Sequence, residues 1–330
     1  MTVLSVDLAS RNWSDLGVVL LERRSASALP GFGPLELPLG PEDSLLSMSG
    51  LKECSLSGLV ECEIIQWATS PADQWATSLT DQRASSPISE FASSQSGQFA
   101  SSRSEFASSQ SGDGGFSAPV SPLSIDPEVL AGRLNHLCGV RGVRVMLLDG
   151  PQAWKSEQNG LEHARVSERE LNTAGKTGLP GVVKPVTYRA FAEFCMDVYD
   201  ALCRRGWRRL TTRDQCGNPS ERVLVESYPH AAWKSLGLSP LPSKRRCRVS
   251  DLATAMASLR AAVPLRVNRP PNHDQLQAIV AGLAGLAIAD RSSEGTRLVG
   301  EPPRREQGHW REGFIALPVI ARPSVVRRVD

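Results

Sequence analysis

Several acidic residues stand at the ends of apolar runs, where carboxylates could carry chemistry. Asp7, Asp149 and Glu226 each close or follow a short apolar run that is typical of a β-strand. A fourth acid, Asp274, lies in the first turn of an apolar helix predicted to begin at Asn272. In open α/β sheets, ligands gather at the carboxyl ends of the strands. The pattern predicts that these four carboxylates lie together at one edge of a sheet.

Carboxylates grouped in this way would favour divalent cations. They repel one another strongly unless protons or cations neutralise them. Oxygen ligands alone select Mg²⁺ or Mn²⁺ over zinc or copper. Two such ions about 4 Å apart can activate a water molecule and stabilise the leaving oxygen of a phosphodiester. The chemistry that the four acids predict is therefore metal-dependent hydrolysis of a phosphodiester.

Each acid also has a structural explanation. Asp7 and Asp149 could be turn residues, because short polar side chains bond their own backbone at strand ends. Asp274 could simply favour the positive end of its helix, with Asn272 as the cap. Glu226 could belong to a surface ion pair. The order strand, strand, strand, helix is what favours the functional interpretation.

Periodicity predicts the elements that would position these acids. Strands are predicted at 3–7, 16–21, 59–67, 143–148 and 223–225, and helices at 126–138, 186–205, 250–262 and 272–289. The connection between the first two strands is short enough for a hairpin. Strands come first, and strands then alternate with helices. This order predicts an α/β fold in which helices flank a mixed sheet.

One segment differs in composition from the rest of the chain. From about residue 70 to residue 115 it is rich in Ser, Ala, Gln and Gly, with short near-repeats. Such a composition cannot bury enough apolar surface to offset its ordering entropy. We therefore predict first strands of a domain at 1–69, a disordered low-complexity insertion at 70–125, and the remainder of the same domain at 126–330.

The charge balance bears on possible partners. The chain has 37 basic and 35 acidic residues, so a nucleic acid would have to be bound by a local basic patch. Arg165 and Arg169 are four residues apart and would share a helical face, and Lys244 and Arg245 begin the densest basic run. Either cluster could hold a phosphate backbone, and either could instead be a solvated basic face.

Other motifs argue against alternative classes. The seven cysteines are irregularly spaced, which does not resemble a disulfide framework or a structural zinc site. No signal peptide is recognisable and the longest apolar run is too short to cross a bilayer, so we predict a cytoplasmic protein without a membrane partner. Gly175-Lys176-Thr177 imitates a P-loop, but position 170 is glutamate instead of glycine. Gly175 is therefore predicted to end a helix, and no nucleotide cofactor is expected.

The short motifs around the acids resemble a known family. They are Val-Asp-Leu-Ala at Asp7, Leu-Leu-Asp-Gly-Pro at Asp149, the run from Glu226 to His230, and His273-Asp274. Together they resemble the predicted RNase H-like nuclease family that is called domain of unknown function 429. The similarity covers about 2–23 and 127–318, and it also takes in an Arg- and acid-rich segment around Arg165.

The resemblance implies an RNase H fold with metal-binding carboxylates on the first strand, the fourth strand and the last helix. Carried over, Asp7, Asp149 and Asp274 are the ligands of Mg²⁺ or Mn²⁺, Glu226 is a candidate fourth ligand that assists catalysis, and the partner is DNA or RNA. Two features depart from the family: the long insertion, and a single acid at Asp274 where two adjacent acids are common.

Two other functions remain open. The first is a non-catalytic RNase H-fold module that binds nucleic acid or protein. The second is an actin-like or sugar-kinase phosphotransferase, which needs glycine-rich phosphate loops after two strands. Neither Asp7 nor Asp149 is followed by such a loop. The sequence predicts neither the choice between DNA and RNA nor an oligomeric state.

Overall fold

A computed structural model describes residues 2–8, 16–24, 58–66, 125–212, 221–292 and 295–320. The described elements all belong to one unit, formed by Met1–Trp67 together with Ile125–Asp330. The predicted hairpin connection at 12–14 lies outside the described residues. So does the insertion predicted at 70–125, apart from Ile125.

Strands and helices follow one another along the described chain. The strands are β1 Thr2–Asp7, β2 Gly17–Arg24, β3 Leu59–Ile64, β4 Val145–Asp149, β5 Lys176–Thr177, β6 Val183–Lys184, β7 Arg208–Arg209, β8 Val223–Ser227, β9 Leu265–Val267, β10 Thr296–Val299, β11 Arg304–Glu306, β12 His309–Arg311 and β13 Ile315–Pro318. The helices are α1 Pro127–Arg141, α2 Val166–Leu171, α3 Arg189–Arg204, α4 Pro229–Ser235, α5 Val249–Ala262 and α6 His273–Ala289. Short 3₁₀ turns lie at Glu157–Asn159 and Val186–Tyr188. Every predicted strand and helix has a counterpart in this set.

The main sheet is mixed, as predicted. Its strand order is β10-β13-β8-β4-β1-β2-β3-β9, and β7 pairs with the start of β8. β2 is antiparallel to both of its neighbours, β1 and β3. β1, β4, β8 and β13 are parallel neighbours, so their carboxyl ends meet at one edge of the sheet. That edge is where Asp7 and Asp149 end their strands.

Helices cover both faces of the sheet because the central strands are apolar on both sides. On one face, Val3, Leu147 and Val225 pack in a core cluster with residues of α4, α5 and α6. On the other face, Leu4 and Met146 pack in a second cluster with residues of α1 and α3. The alternation of side chains along each strand therefore decides which helix layer a residue faces.

Small residues bring α6 unusually close to the sheet. A methyl group added at Gly285 would overlap the side chains of Leu147 and Val3, and one added at Gly282 would overlap Leu21 and Ser5. At the start of α6, the Asn272 side chain accepts a hydrogen bond of 2.9 Å from the backbone of the third helical residue. The amino end of the helix lies against the sheet where β2 begins, since a Cβ at Gly17 would overlap the backbone of Asp274.

The region between β4 and α3 differs from the sequence prediction at one glycine. The short helix α2 ends at Leu171, and Asn172 takes the left-handed conformation with φ 49°. Gly175 lies beyond this cap, just before β5, so the prediction that it ends the helix was wrong. A Cβ at Gly175 would lie 2.7 Å from the ring of Tyr188, so the glycine allows close packing of that ring.

The described residues contain no helix that is long and apolar enough to cross a membrane. Cys62, Cys138, Cys195, Cys203 and Cys247 carry free thiols.

Candidate active site

Asp7 and Asp149 are adjacent at the carboxyl edge of the sheet. They are register partners in the parallel pair of β1 and β4. Asp149 is in turn the register partner of Ser227 in β8. Residues opposite one another in neighbouring strands point to the same face, so these three polar side chains form one row on the α6 side. We call Asp7, Asp149 and Ser227 the edge row.

The electrostatic environment of Asp149 favours its neutral form. Burial raises the pKa of Asp149 well above its ordinary value, and the nearby carboxylates of Asp7 and Glu226 raise it further. Desolvation and like charge both penalise an ionised carboxylate. Such a group is stabilised either by a proton or by a bound cation, which is the setting expected of a metal ligand or a general acid.

Glu226 lies on the opposite face of its strand from the edge row. It is the register partner of Leu148, whose neighbours Leu224 and Met146 face α1 and α3. The sequence predicted that it lies together with the other three acids, whereas it is one residue out of phase with Ser227 in β8. The negative charge of Glu226 still contributes to the raised pKa of Asp149. Both residues line the same cavity.

A buried arginine engages both oxygens of Glu226. Arg165 Nη1 donates to Glu226 Oε2 at 2.6 Å, and Nη2 donates to Oε1 at 2.7 Å. The backbone N–H of Gln152 donates a third bond at 3.0 Å. Burial raises the pKa of Glu226, while attraction and hydrogen bonds from Arg165 oppose that rise. Glu226 therefore acts here as the anchor of a buried ion pair.

Glu168 completes the surroundings of Arg165. Its carboxylate accepts bonds from Arg165 Nη2 and from the Thr177 hydroxyl, at 3.2 and 2.7 Å. Burial by itself would lower the pKa of Arg165, but the charges of Glu226 and Glu168 raise it well above the ordinary value. This network ties α2 and β5 to the carboxyl end of β8.

The arginine pair predicted to hold phosphate does not share a free face. Arg165 precedes α2 as its N-cap and is only 1% exposed, whereas Arg169 is exposed on the helix itself. The prediction treated both positions as helical, but the first lies outside the helix and points inward. Only the Nε atom of Arg165 is buried without a hydrogen-bond partner.

Asp274 is placed by α6 next to the edge row and is paired with a lysine. A Cβ at Gly17 would overlap the Asp274 backbone, and Gly17 is the register partner of Asp7. Lys244 Nζ donates to Asp274 Oδ2 at 2.5 Å, and His273 Nδ1 lies 3.0 Å from Oδ1. This hydrogen bond raises the pKa of His273, although burial opposes it. Lys244 thus neutralises an acid of the site, while Arg245 beside it is exposed.

In this arrangement the acids do not form a closed metal cage. Among the residues that the structure describes, no three His, Cys, Asp or Glu side chains are grouped so that they could hold a metal ion. Asp7 and Asp149 are neighbours, Asp274 engages Lys244, and Glu226 engages Arg165. The assignment of Asp7, Asp149 and Asp274 as metal ligands stays a prediction.

A cavity of about 890 Å³ opens beside Asp149. Its lining includes the acids Asp149, Glu168 and Glu226, with Arg165 as the basic residue among the described lining residues. The carboxylates therefore outnumber the cations at this edge of the sheet. Such an excess of negative charge suits a cation or a neutral group better than a bare phosphate.

Sequence reasoning missed several residues of this cavity. Ser227 has a buried hydroxyl without a hydrogen-bond partner, and Tyr188, Phe191 and Tyr228 contribute partly buried rings to the lining. Val223, Leu224 and Val225 are all apolar, so alternation in the sequence could not show which of Glu226 and Ser227 lies beside Asp149. No sequence signal connects the rings, since they come from separate elements.

The fold and site define a mixed α/β protein with an acidic cavity at the carboxyl ends of its parallel strands. The chain belongs to the family described as "Protein of unknown function (DUF429)", whose model matches residues 139–304. The matched range includes Asp149, Glu226 and Asp274, and Asp7 lies before it. Neither the search of curated proteins nor the search of solved structures gave a match.

Proposed function

We propose that this protein is a metal-dependent nuclease with an RNase H-like fold, which hydrolyses phosphodiester bonds of DNA or RNA at the edge row. The observation that carries the proposal is the register pairing of Asp7 with Asp149 beside the first turn of α6. This is the arrangement that the resemblance implies for carboxylates on the first strand, the fourth strand and the last helix.

The donor chemistry fits a hard divalent cation. Asp7 and Asp149 offer carboxylate oxygens only, and their proximity contributes to the raised pKa of Asp149. Oxygen ligands of this kind suit Mg²⁺ or Mn²⁺. Bound there, a divalent cation supplies Lewis-acid stabilisation of a phosphoryl group and activation of a water molecule.

The remaining residues have distinct roles in this proposal. Asp7 and Asp149 would hold the cation, and Asp274 would be a third ligand if the cation took the place of Lys244 at its carboxylate. Lys244, whose side chain is half exposed, would then contact a substrate phosphate. Glu226 acts through Arg165, because their ion pair fixes the orientation of the guanidinium group. The Nε atom of that group has no hydrogen-bond partner. Arg245 and Arg169 are exposed, and their positive charges attract the phosphates of the nucleic-acid backbone.

The test compares cleavage and metal binding in matched variants. Labelled single-stranded, double-stranded, hybrid and branched nucleic acids are incubated with Mn²⁺ or Mg²⁺ and with wild type, Asp7→Asn or Asp149→Asn. We expect cleavage that requires the metal and that falls by about a hundredfold or more in both variants. The control is Asp197→Asn, which changes an exposed acid of α3. Mn²⁺ binding by calorimetry should weaken in the two site variants alone.

One observation favours a second candidate function, a non-catalytic module that binds nucleic acid or protein. The ammonium group of Lys244 already neutralises Asp274, so the fold can be stable without a cation there. Well-folded protein that cleaves none of the substrates, with Mn²⁺ binding unchanged by either site variant, would establish this alternative in place of the nuclease.

A further inference from the structure

The cavity beside Asp149 has an aromatic side as well as an acidic one. Tyr188, Phe191 and Tyr228 line it, and each ring is partly buried. The rings of Tyr188 and Phe191 are 5.3 Å apart between centroids and inclined by 45°. Tyr228 comes from a different element, directly after β8. A flat ring entering the cavity could therefore stack on aromatic side chains from separate elements.

The three rings are anchored in three separate core clusters. Phe191 packs against the cluster beneath α1 and α3, and Tyr188 packs against Trp154, Val183, Ala192 and Met196. Tyr228 packs against Ala231, Val299, Ile315 and Leu317. Because each ring is held by its own cluster, the cavity is a built feature of the fold and not the space left by one loose side chain.

Two glycines of the lining allow these rings to pack closely. A Cβ at Gly150 would lie 3.4 Å from Phe191 and would overlap the thiol of Cys195. Gly150 has φ 138°, a conformation that other residues rarely adopt. Gly175 makes the corresponding space for Tyr188. Both positions therefore require glycine if the aromatic side is to keep its shape.

Two residues of the lining carry hydrogen-bonding groups without a partner. They are Ser227 Oγ and Arg165 Nε, and both atoms are buried away from solvent. A buried polar atom without a partner is costly. A movement of the side chain would let either atom donate a bond to an acceptor on a bound molecule.

We propose that this cavity binds one unpaired nucleotide of a single strand, with the base stacked on the aromatic side of the cavity at Tyr188 and Tyr228 and with acceptor atoms toward Ser227 and Arg165. A volume of 890 Å³ lies within the range of pockets for single small molecules, about 300–1,000 Å³. Bases inside a duplex cannot enter such a pocket without leaving their stack. Aromatic stacking on an unpaired base is favourable for any base sequence. The excess of carboxylates also favours the neutral base over a bare phosphate as the group that is recognised.

The proposal rests on the proposed function and names its substrate class, so its test uses a binding signal that does not need cleavage. A 12-nucleotide strand carrying one 2-aminopurine is titrated with protein in Ca²⁺, both single-stranded and annealed to its complement. We expect quenching of 2-aminopurine fluorescence in the single strand and none in the duplex. Tyr188→Ala and Tyr228→Ala should each weaken binding of the single strand by at least about fivefold. Tyr188→Phe should bind as wild type does.

The matched control is Val186→Ala, which alters a 79% exposed residue in the same 3₁₀ turn as Tyr188. Equal quenching of the duplex, or unchanged binding by both alanine variants, would overturn the pocket. If free 2-aminopurine nucleotide binds more tightly than the strand, the proposal that the bound nucleotide belongs to a strand is wrong.

The two proposals fail in different ways. Quenching that depends on Tyr188, without Mn²⁺-dependent cleavage of any substrate, would support nucleotide binding in the cavity and contradict the nuclease proposal. Cleavage of a duplex that depends on Asp149, without quenching of the single strand, would support the nuclease proposal and contradict nucleotide binding in the cavity.

Discussion

Asp7 and Asp149 are direct register partners in neighbouring parallel strands, although 141 residues separate them in the chain. Their carboxylates point to the same face, and the pKa of Asp149 is raised well above its ordinary value, by burial first and then by the charge of Asp7. The pair is therefore unfavourable in its ionised form unless something neutralises it. This relationship leads to the first prediction.

In metal-free buffer, Asp149→Asn should increase the free energy of unfolding at pH 7 to 8 by about 1 kcal/mol or more. The folded protein holds the Asp149 proton more tightly than the unfolded chain, so wild type loses stability as pH rises from about 4 through the raised pKa. The difference between the proteins should vanish below pH about 4. Thermal unfolding across this range measures it, and saturating Mn²⁺ should stabilise wild type more than the variant. A variant less stable than wild type at pH 8 would contradict the prediction.

Arg165→Gln should destabilise the fold by about 3–5 kcal/mol, because Glu226 would be left as a buried charge without its partner. Denaturant unfolding gives the magnitude. Arg169→Gln is the control, since Arg169 is exposed and should change stability by less than about 0.5 kcal/mol. Similar losses in the two variants would mean that the buried ion pair is not what stabilises this region.

Gly285→Ala and Gly139→Ala should change stability in opposite directions. A methyl group at Gly285 would overlap Leu147 and Val3, so α6 must shift, at a cost of about 1–3 kcal/mol. At Gly139 in α1 nothing lies within 4 Å, so alanine should stabilise the helix by about 0.5–1 kcal/mol. Chemical denaturation of both variants tests the close approach of α6. Stabilisation by both substitutions would show that α6 lies farther from the sheet.

Lys244→Met should strengthen Mn²⁺ binding about two- to fivefold, because the half-exposed lysine competes with a cation for Asp274. Calorimetric titration with Mn²⁺ checks this. Arg245→Met removes a neighbouring positive charge that is exposed, and it should leave the affinity almost unchanged. Weaker Mn²⁺ binding in Lys244→Met would instead make the lysine part of the metal site.

The sequence by itself determined the main elements and the positions of the acids on them. Short apolar runs that end at polar residues predicted β1, β4 and β8, and the Asn272 cap marked the start of α6. These features are local, because hydrophobic periodicity and capping depend on residues within a few positions of each other. The mixed sheet with flanking helices followed from the order of these elements.

Only the tertiary structure decided what each side chain of the site contacts. Whether Glu226 faces Asp149 or Arg165 depends on a register between strands that are far apart in sequence. The pairing of Lys244 with Asp274 joins positions 30 residues apart. Such contacts arise from the packing of whole elements, and neither composition nor periodicity carries information about them. The aromatic cavity has the same origin, since its rings come from the turn at Val186–Tyr188, from α3 and from the residue after β8.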